Sequence, residues 1–369
     1  MLKILYITSD LVQDPTDGGQ IAGKFFYDSI KNNTEYEVNV INLHNVDIKK
    51  AITGKEILNI LSHRQKKTNK LKKILEKVTS IFSIYNRSLS AFNSQDLGLV
   101  NFDFENFDFI IFNGFISLRL FKFSIKTSKI IYIAHNIEQE LIKNKIRKSF
   151  FSRIYARLEY FKTKLYEDKI LKIVDSVICL SKSDSVFIKK YNNNINIIPP
   201  FIKPVSLDKK VFVESFGLIA TNLEHDPNII SLDWFFDKVY PFLDHNIKII
   251  ITGKGSFEQY QSKNYKNIEF RGFVSREELD DLYQKAGFVI NPTVIGSGIQ
   301  IKLIEALSMS KKIISTQFSN KVLDTIPSSD DPQIFAELIN NYNLSSSIDI
   351  DYNKIYNDNQ KKLFNIFQE

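Results

Sequence analysis

The chain has 369 residues, of which 43% are hydrophobic and 25% charged, with a net charge of +7 and one cysteine. That length exceeds the needs of one compact core and suits two domains. A lone Cys179 excludes an internal disulfide framework and suits a reducing cytoplasm. No apolar run reaches the ~20 residues that span a bilayer, and "MLKILYITSD" turns polar too early for a cleavable signal.

In chain order, "KILYITS" predicts a short buried strand, "DLVQDPTDGG" a turn-rich loop and "QIAGKFFYDSIKN" a helix. "YEVNVINLH", "FDFIIFNG", "SKIIYIAHN" and "VDSVICLS" follow as strands, rich in β-branched and aromatic residues. Cys179 sits within the last of these as a core residue, and Ser181 is placed to cap the next helix with Asp184 three residues on. "NINIIPPFIKP" reads as an interdomain linker, because its three prolines suit neither a helix nor a central strand. A second series then begins with the strand "VFVESFGLIAT". A helix entered at Pro227 follows, with Trp234 on its core face, then the strands "IKIIITGKGS", "NIEFRGFV", "GFVINPT" and "KKIISTQ". The segment "YNKIYNDNQKKLFNIFQE" predicts a closing helix. Short strands alternating with helices in both halves predict an α/β protein with two parallel, doubly wound domains, residues 1–200 and 201–350. Residues 351–369 are expected to cross back onto the first. Ligands of such folds bind beyond the carboxyl ends of the strands.

Charge is unevenly spread. Residues 1–200 carry 31 Lys and Arg against 20 Asp and Glu, a balance of +11; the remainder carries 18 against 22, a balance of −4. The excess lies in residues 49–77, with ten basic and two acidic residues, and residues 143–172, with ten and three. Both interleave cations with apolar residues at helical spacing, which suits either an anionic membrane surface or a solvated helix face. Nucleic-acid binding is not expected, since no recognised module accompanies the charge.

The candidate chemistry gathers around "NPTVIGSGIQIKLIEAL", residues 291–307. A glycine-bearing loop there joins a strand to a helix, where unpaired N–H groups and the helix dipole favour anions. Gly296 and Gly298 remove side chains that would hold a phosphate away, Lys302 adds charge, and Glu305 suits a ribose diol. The alternative is a tight structural turn. Further glycines fall at neighbouring strand ends, Gly253 and Gly255 around Lys254, and Gly272 before Phe273. In the first half, Gly18 and Gly19 fall between the first strand and the first helix, and His135 ends a strand. His135 is placed to hydrogen-bond a sugar hydroxyl or to move a proton. No His/Cys cluster has metal spacing, and no G-x-G-x-x-G follows the first strand.

The order of "DGG", "AHNIE", "VDSVICLSKSD", "HDPN…WFFDKVYPFL", "ITGKG", "FRGFVSREELDDLYQKA" and "NPTVIGSGIQIKLIEALSMSKKIIST" resembles a GT-B glycosyltransferase of the family 4 type over most of the chain. The resemblance implies two Rossmann-like domains facing across a cleft. It implies sugar transfer from a nucleotide diphosphate to an acceptor hydroxyl with retention, no cofactor beyond the co-substrate and no obligatory metal. UDP-sugar is favoured as the donor. By this analogy Gly296, Ser297, Gly298 and Ile299 offer amides to the diphosphate or sugar, and Lys302 and Lys254 add charge. Glu305 then takes the ribose, and Phe273 and Val274 frame the base. Gly18, Gly19 and His135 face the transferred sugar and the acceptor, a surface glycan or lipid-linked glycan at the cytoplasmic face of a membrane.

Two departures mark this chain. Ser297 stands where many members carry a Glu eight residues before the position of Glu305, and "IATNLEHDPN" lacks the Arg and Lys that many place there. His225, Lys254 or Lys302 alone would take their place. These departures admit a second reading, a catalytically silent GT-B subunit beside an active partner.

Overall fold

The computed structural model describes residues 1–9, 11, 18–43, 45–46, 58–61, 104–121, 125, 127–144, 150–200, 202–204, 216–295, 299–320, 326–342 and 351–368. The chain divides into two compact units, Met1–Pro200 with Gln360–Glu369, and Phe201–Asn359.

The first unit is built on β1 (Leu2–Thr8), α1 (Gly18–Lys31), β2 (Tyr36–Asn42), β3 (Asn45–Val46), β4 (Leu58–Leu61), β5 (Phe109–Asn113), β6 (Lys129–Ala134), α2 (Glu138–Asn144), α3 (Phe150–Ile173), β7 (Ser176–Cys179), α4 (Lys182–Ile188) and β8 (Ile195–Ile197). The sheet order is β3-β4-β2-β1-β5-β6-β7-β8. Its pairings are parallel apart from the short β3–β4 ladder. The central strands read as unbroken apolar runs because helices cover both faces of a parallel sheet; all five residues of β5 are buried. The Ser181 cap forms as expected, its hydroxyl accepting from the Asp184 amide at 3.2 Å.

Two expectations need correction. The segment taken as a linker contains β8, which pairs in parallel with β7 at the sheet edge. Pro199 and Pro200 follow the strand rather than interrupt it, and an edge strand needs to pair on one side only. Within the basic block 49–77, Leu58–Leu61 forms β4 against β2 and β3 instead of continuing a helix. The rest of that block lies outside the described residues.

The second unit contains β9 (Phe216–Ala220), α5 (Asp226–Trp234), β10 (Lys248–Thr252), α6 (Glu258–Gln261), β11 (Ile268–Gly272), α7 (Arg276–Lys285), β12 (Phe288–Asn291), α8 (Ile301–Ser308), β13 (Lys312–Ser315) and α9 (Pro332–Asn340). Its sheet is parallel, in the order β11-β10-β9-β12-β13. Beyond Trp234 the α5 ladder widens into a π turn at Phe235–Val239 and a 3-10 turn at Tyr240–Phe242. Pro241, with no N–H to donate, helps stop the helix there. Trp234 packs edge-on against Phe335 with centroids 5.4 Å apart.

The closing helix α10 (Tyr352–Asn365) is shared between the units. At its start the Tyr352 hydroxyl donates to the Ile202 carbonyl at 2.7 Å. Towards its end Gln360 Nε2 donates to Ser29 Oγ at 2.8 Å. Phe367, just beyond the helix, lies 5.2 Å from the ring of Tyr36 and 5.2 Å from that of Phe109. Among the described residues no helix is long and apolar enough to cross a membrane.

Candidate functional site

In the second unit the chain steps outward from β9 to β10 and β11, then returns to the other side of β9 with β12 and β13. Such a reversal, here beyond the carboxyl ends of β9 and β12, is the place where open parallel sheets bind ligands. The loops at this edge pack closely. Gly253, at φ +142°, lies so near the segment after β9 that a Cβ would stand 1.5 Å from the Thr221 carbonyl oxygen. Glycine is required there by both backbone and space. Its amide donates to the Gly272 carbonyl at 2.8 Å, and Thr252 Oγ1 donates to the same oxygen at 2.7 Å. The carboxyl ends of β10 and β11 are thereby tied together.

Beyond β12 a buried hydroxyl network anchors the start of the glycine loop. Thr293 Oγ1 donates to Asn291 Oδ1 at 2.7 Å, Asn291 Nδ2 donates to Ser319 Oγ at 3.1 Å, and the Val294 amide donates to Ser231 Oγ at 3.2 Å. Gly296, Ser297 and Gly298 lie outside the described residues. Ile299 and Gln300 are half-buried and lead into α8, whose N-cap Gln300 gives no side-chain cap. The first turn therefore lacks the side-chain acceptor that usually satisfies its amides.

Lys302 occupies that first turn. It keeps partial surface exposure, yet the protein around its ammonium pushes its pKa down to about 8 through burial. Among the described residues its ammonium has no hydrogen-bond or ion-pair partner. An unpaired, partly buried cation is costly and is relieved by an anion.

Glu305, one turn on, is buried, and its Oε1 accepts from Arg276 Nη1 at 2.5 Å. Arg276 Nη2 also meets Asp280 Oδ1 at 2.9 Å. Burial would lower the Arg276 pKa, but the two carboxylates outweigh it and hold it above the ordinary value. Tyr283 completes the group, its buried hydroxyl pushed well above the usual tyrosine range by burial and then by Glu305. Sequence reading missed Arg276. The available signal was the capping box in "SREE": Ser275 Oγ accepts from the Glu278 amide at 3.2 Å, and Glu278 Oε2 accepts from the Ser275 amide at 2.8 Å. That box makes Arg276 the first residue of α7 at the strand's carboxyl edge.

The expected base-framing residues follow β11. Phe273 is 69% exposed and Val274 half-buried. Lys254 Nζ lies 5.7 Å from the Phe273 ring centroid, an exposed cation–π contact that presents both side chains at this edge.

The first unit reverses between β1 and β5. At that point His135 Nε2 and Asn113 Oδ1 are 2.8 Å apart, and Asn113 Nδ2 donates to Thr8 Oγ1 at 2.9 Å. This arrangement makes His135 Nε2 the donor to Asn113 and fixes the ring against the ends of β5 and β1. Sequence reading found His135 but neither Asn113 nor Thr8, the polar residues closing otherwise apolar strands. Gly18 and Gly19 are the first two residues of α1 rather than part of the preceding loop. Cys179 is fully buried, its thiol pushed up to about 12, and belongs to the core.

Known proteins agree with this architecture. Residues 217–342, from β9 to just past α9, match the family described as Glycosyl transferases group 1. An uncharacterized 44.6 kDa protein of the cps region of Klebsiella pneumoniae is 26% identical over 245 residues, 60% of this chain and 62% of that protein. The match thus spans less than two thirds of that relative. Sucrose-phosphate synthase of Thermosynechococcus elongatus superposes with a TM-score of 0.60 at 13% identity, over 100% of this chain and 95% of that one. Anabaena HepE in complex with UDP gives 0.56 at 11%, over 100% and 98%. The fold is GT-B, an α/β architecture of two Rossmann-like domains. Residues 217–342 of its second unit are similar to the group 1 glycosyltransferases.

Proposed function

We propose that the protein is a retaining glycosyltransferase that moves a sugar from a nucleotide diphosphate, UDP in preference to GDP, to a hydroxyl of a growing surface glycan or glycolipid. The observation that carries this reading is Lys302, a partly buried cation without a counter-charge among the described residues, in the first turn of a helix with no side-chain cap. A diphosphate supplies the missing charge. As the glycosidic bond to UDP breaks, Lys302 and the first-turn amides take up the growing charge on the leaving group. Glu305 receives the ribose hydroxyls, and Phe273 with Val274 borders the base. His135, held by Asn113, orients a hydroxyl of the sugar or acceptor. The reading assigns the reaction no obligatory metal and places it in the cytoplasm at the inner face of the cell membrane, where such an acceptor is met.

A thermal-shift panel of UDP, GDP, dTDP, CMP and ADP tests the reading. UDP should give the largest rise in Tm, and UDP-sugar should be hydrolysed slowly without acceptor. A flat panel would refute it. One observation favours the catalytically silent subunit: Arg276 already occupies Glu305. A UDP shift without donor hydrolysis, even when acceptor glycans are supplied, would support that alternative.

A further inference from the structure

The segment that carries His135 is short. β6 ends at Ala134 and α2 begins at Glu138, so only residues 135–137 join them. At the strand end this segment is fixed by the sheet, where Ala134 pairs with Cys179 and Ile133 with Asn113. Its other end is set by whatever holds the start of α2. The residue before that helix is Ile137, buried and with no side-chain acceptor, where a helix usually carries Ser, Thr, Asp or Asn to satisfy its first amides. Ser181 does this for α4 within its own segment.

For α2 the acceptor comes from another helix. Glu167 of α3 is 1% exposed, and its Oε1 and Oε2 accept from the Glu138 amide at 2.8 Å and the Gln139 amide at 3.1 Å. The next residue of α3, Asp168, accepts from Gln139 Nε2 at 2.9 Å and is itself held by Lys164 at 2.6 Å. α3 is anchored in turn. The Tyr166 hydroxyl donates to the Leu118 carbonyl at 2.6 Å, and Ile170 and Leu171 are fully buried. Among the described residues no cation pairs with Glu167. Burial pushes its carboxyl up to about 7, against the pull of the two amides. The carboxylate also lies near enough to the Tyr132 hydroxyl on β6 to raise its pKa, after burial itself. Both oxygens nevertheless go to α2, and that hydroxyl is left without a partner.

A buried carboxylate with no cation is a costly way to satisfy two amides. A serine at residue 137 would satisfy one of them locally and leave α2 free to shift against α3. What the distant acceptor adds is placement. Through α2 it ties one end of the short segment to α3, while Asn113 Oδ1 holds the ring itself at 2.8 Å. We propose that Glu167 is a positioning residue for His135: by holding the first two amides of α2 it fixes residues 135–137, and with them the direction in which the imidazole meets a sugar or acceptor hydroxyl. The use made of His135 rests on the proposed function; the mechanical link from Glu167 to the ring does not.

The test compares Glu167→Gln with wild-type protein. The new side chain turns an NH2 group toward one backbone N–H, so one bond is lost and two donors meet. The Glu138 and Gln139 amides should then exchange hydrogen at least tenfold faster. In histidine-labelled protein the His135 Cε1–Hε1 resonance, assigned by its loss in His135→Ala, should shift or broaden, while those of His225 and His245 in the second unit stay in place. With UDP-sugar and acceptor, kcat should fall at least tenfold and KM for UDP-sugar should stay within about twofold. Glu167→Asp, which keeps two acceptor oxygens on a shorter arm, should give a smaller change in each. The proposal is overturned if the His135 resonance of Glu167→Gln stays in place or if its kcat matches wild type. It is equally overturned if all the histidine resonances collapse together, which would make Glu167 a determinant of the fold alone. Should wild-type protein neither bind UDP nor transfer sugar, the proposed function fails, and the exchange and resonance measurements still decide the link from Glu167 to His135.

Discussion

Replacing Lys302 by Met should make the free protein more stable and the nucleotide-bound protein no more stable than the free one. Burial lowers the Lys302 pKa from 10.5 to about 8. At ~1.4 kcal/mol per pKa unit, carrying the charge at pH 7 costs at most about 3 kcal/mol. The sign follows from proton counting. Between pH 8 and 10.5 the unfolded chain holds a proton on this lysine that the folded chain has lost, so the penalty is complete below pH 8 and fades as pH rises through that window. Methionine fills similar space without the charge, so the second unit should melt several degrees higher. A bound diphosphate restores the charged state in wild-type protein. UDP affinity should therefore be flat below pH 8 and fall above it, with proton uptake on binding that calorimetry in buffers of different ionisation enthalpy can measure. Thermal melts of both proteins with and without UDP complete the assay. A variant that melts lower and keeps its UDP shift, or an affinity constant from pH 7 to 10, would refute the reasoning.

Three further outcomes are expected. Glu305→Ala should weaken UDP binding by at most ~1 kcal/mol as read by titration calorimetry, because Arg276 already holds the carboxylate and a ribose contact only replaces that bond. His135→Ala breaks the contact to Asn113 and should lower kcat while leaving UDP affinity nearly unchanged; an equal loss in both would move His135 out of the acceptor side. Gly253→Ala places a methyl 1.5 Å from a backbone oxygen at a positive φ, so the loop after β9 must move. That variant should lose ~1–3 kcal/mol in denaturant unfolding, and a wild-type midpoint would show that the loops do not pack this closely.

The central strands were legible because parallel sheets buried on both faces leave dense apolar runs in the sequence, whereas the short edge strands β3 and β4 were not. Nor was β8, since its three residues close to two prolines carry no such run and their pairing depends on β7. The site divides the same way. Lys302 and Glu305 were visible as a cation and an acid one turn apart after a glycine loop. Arg276 was hidden because its contact with Glu305 spans 29 residues and exists only once β11 and β12 take their places on opposite sides of the sheet. The Asn113–Thr8 hydrogen bond, across 105 residues, was hidden for the same reason. Local pattern tells which residues end strands; the order of strands tells which ends meet.

That order has an energetic consequence within the second unit. In the free protein Glu305 already holds a guanidinium, whereas Lys302 has no counter-charge among the described residues. A ribose must therefore exchange places with, or share Glu305 with, Arg276, and gains little beyond what is given up. A phosphate gives up only water and relieves a penalty already present. The two ends of a nucleoside diphosphate should contribute unequally, and the binding free energy should sit mainly at the diphosphate. Competition against a fluorescent UDP analogue measures this directly: pyrophosphate should displace it far better than uridine does, and Arg276→Ala should improve uridine more than pyrophosphate. If uridine competes as well as pyrophosphate, the unpaired lysine is not what draws the ligand in, and the weight moves to the base-framing edge at Phe273.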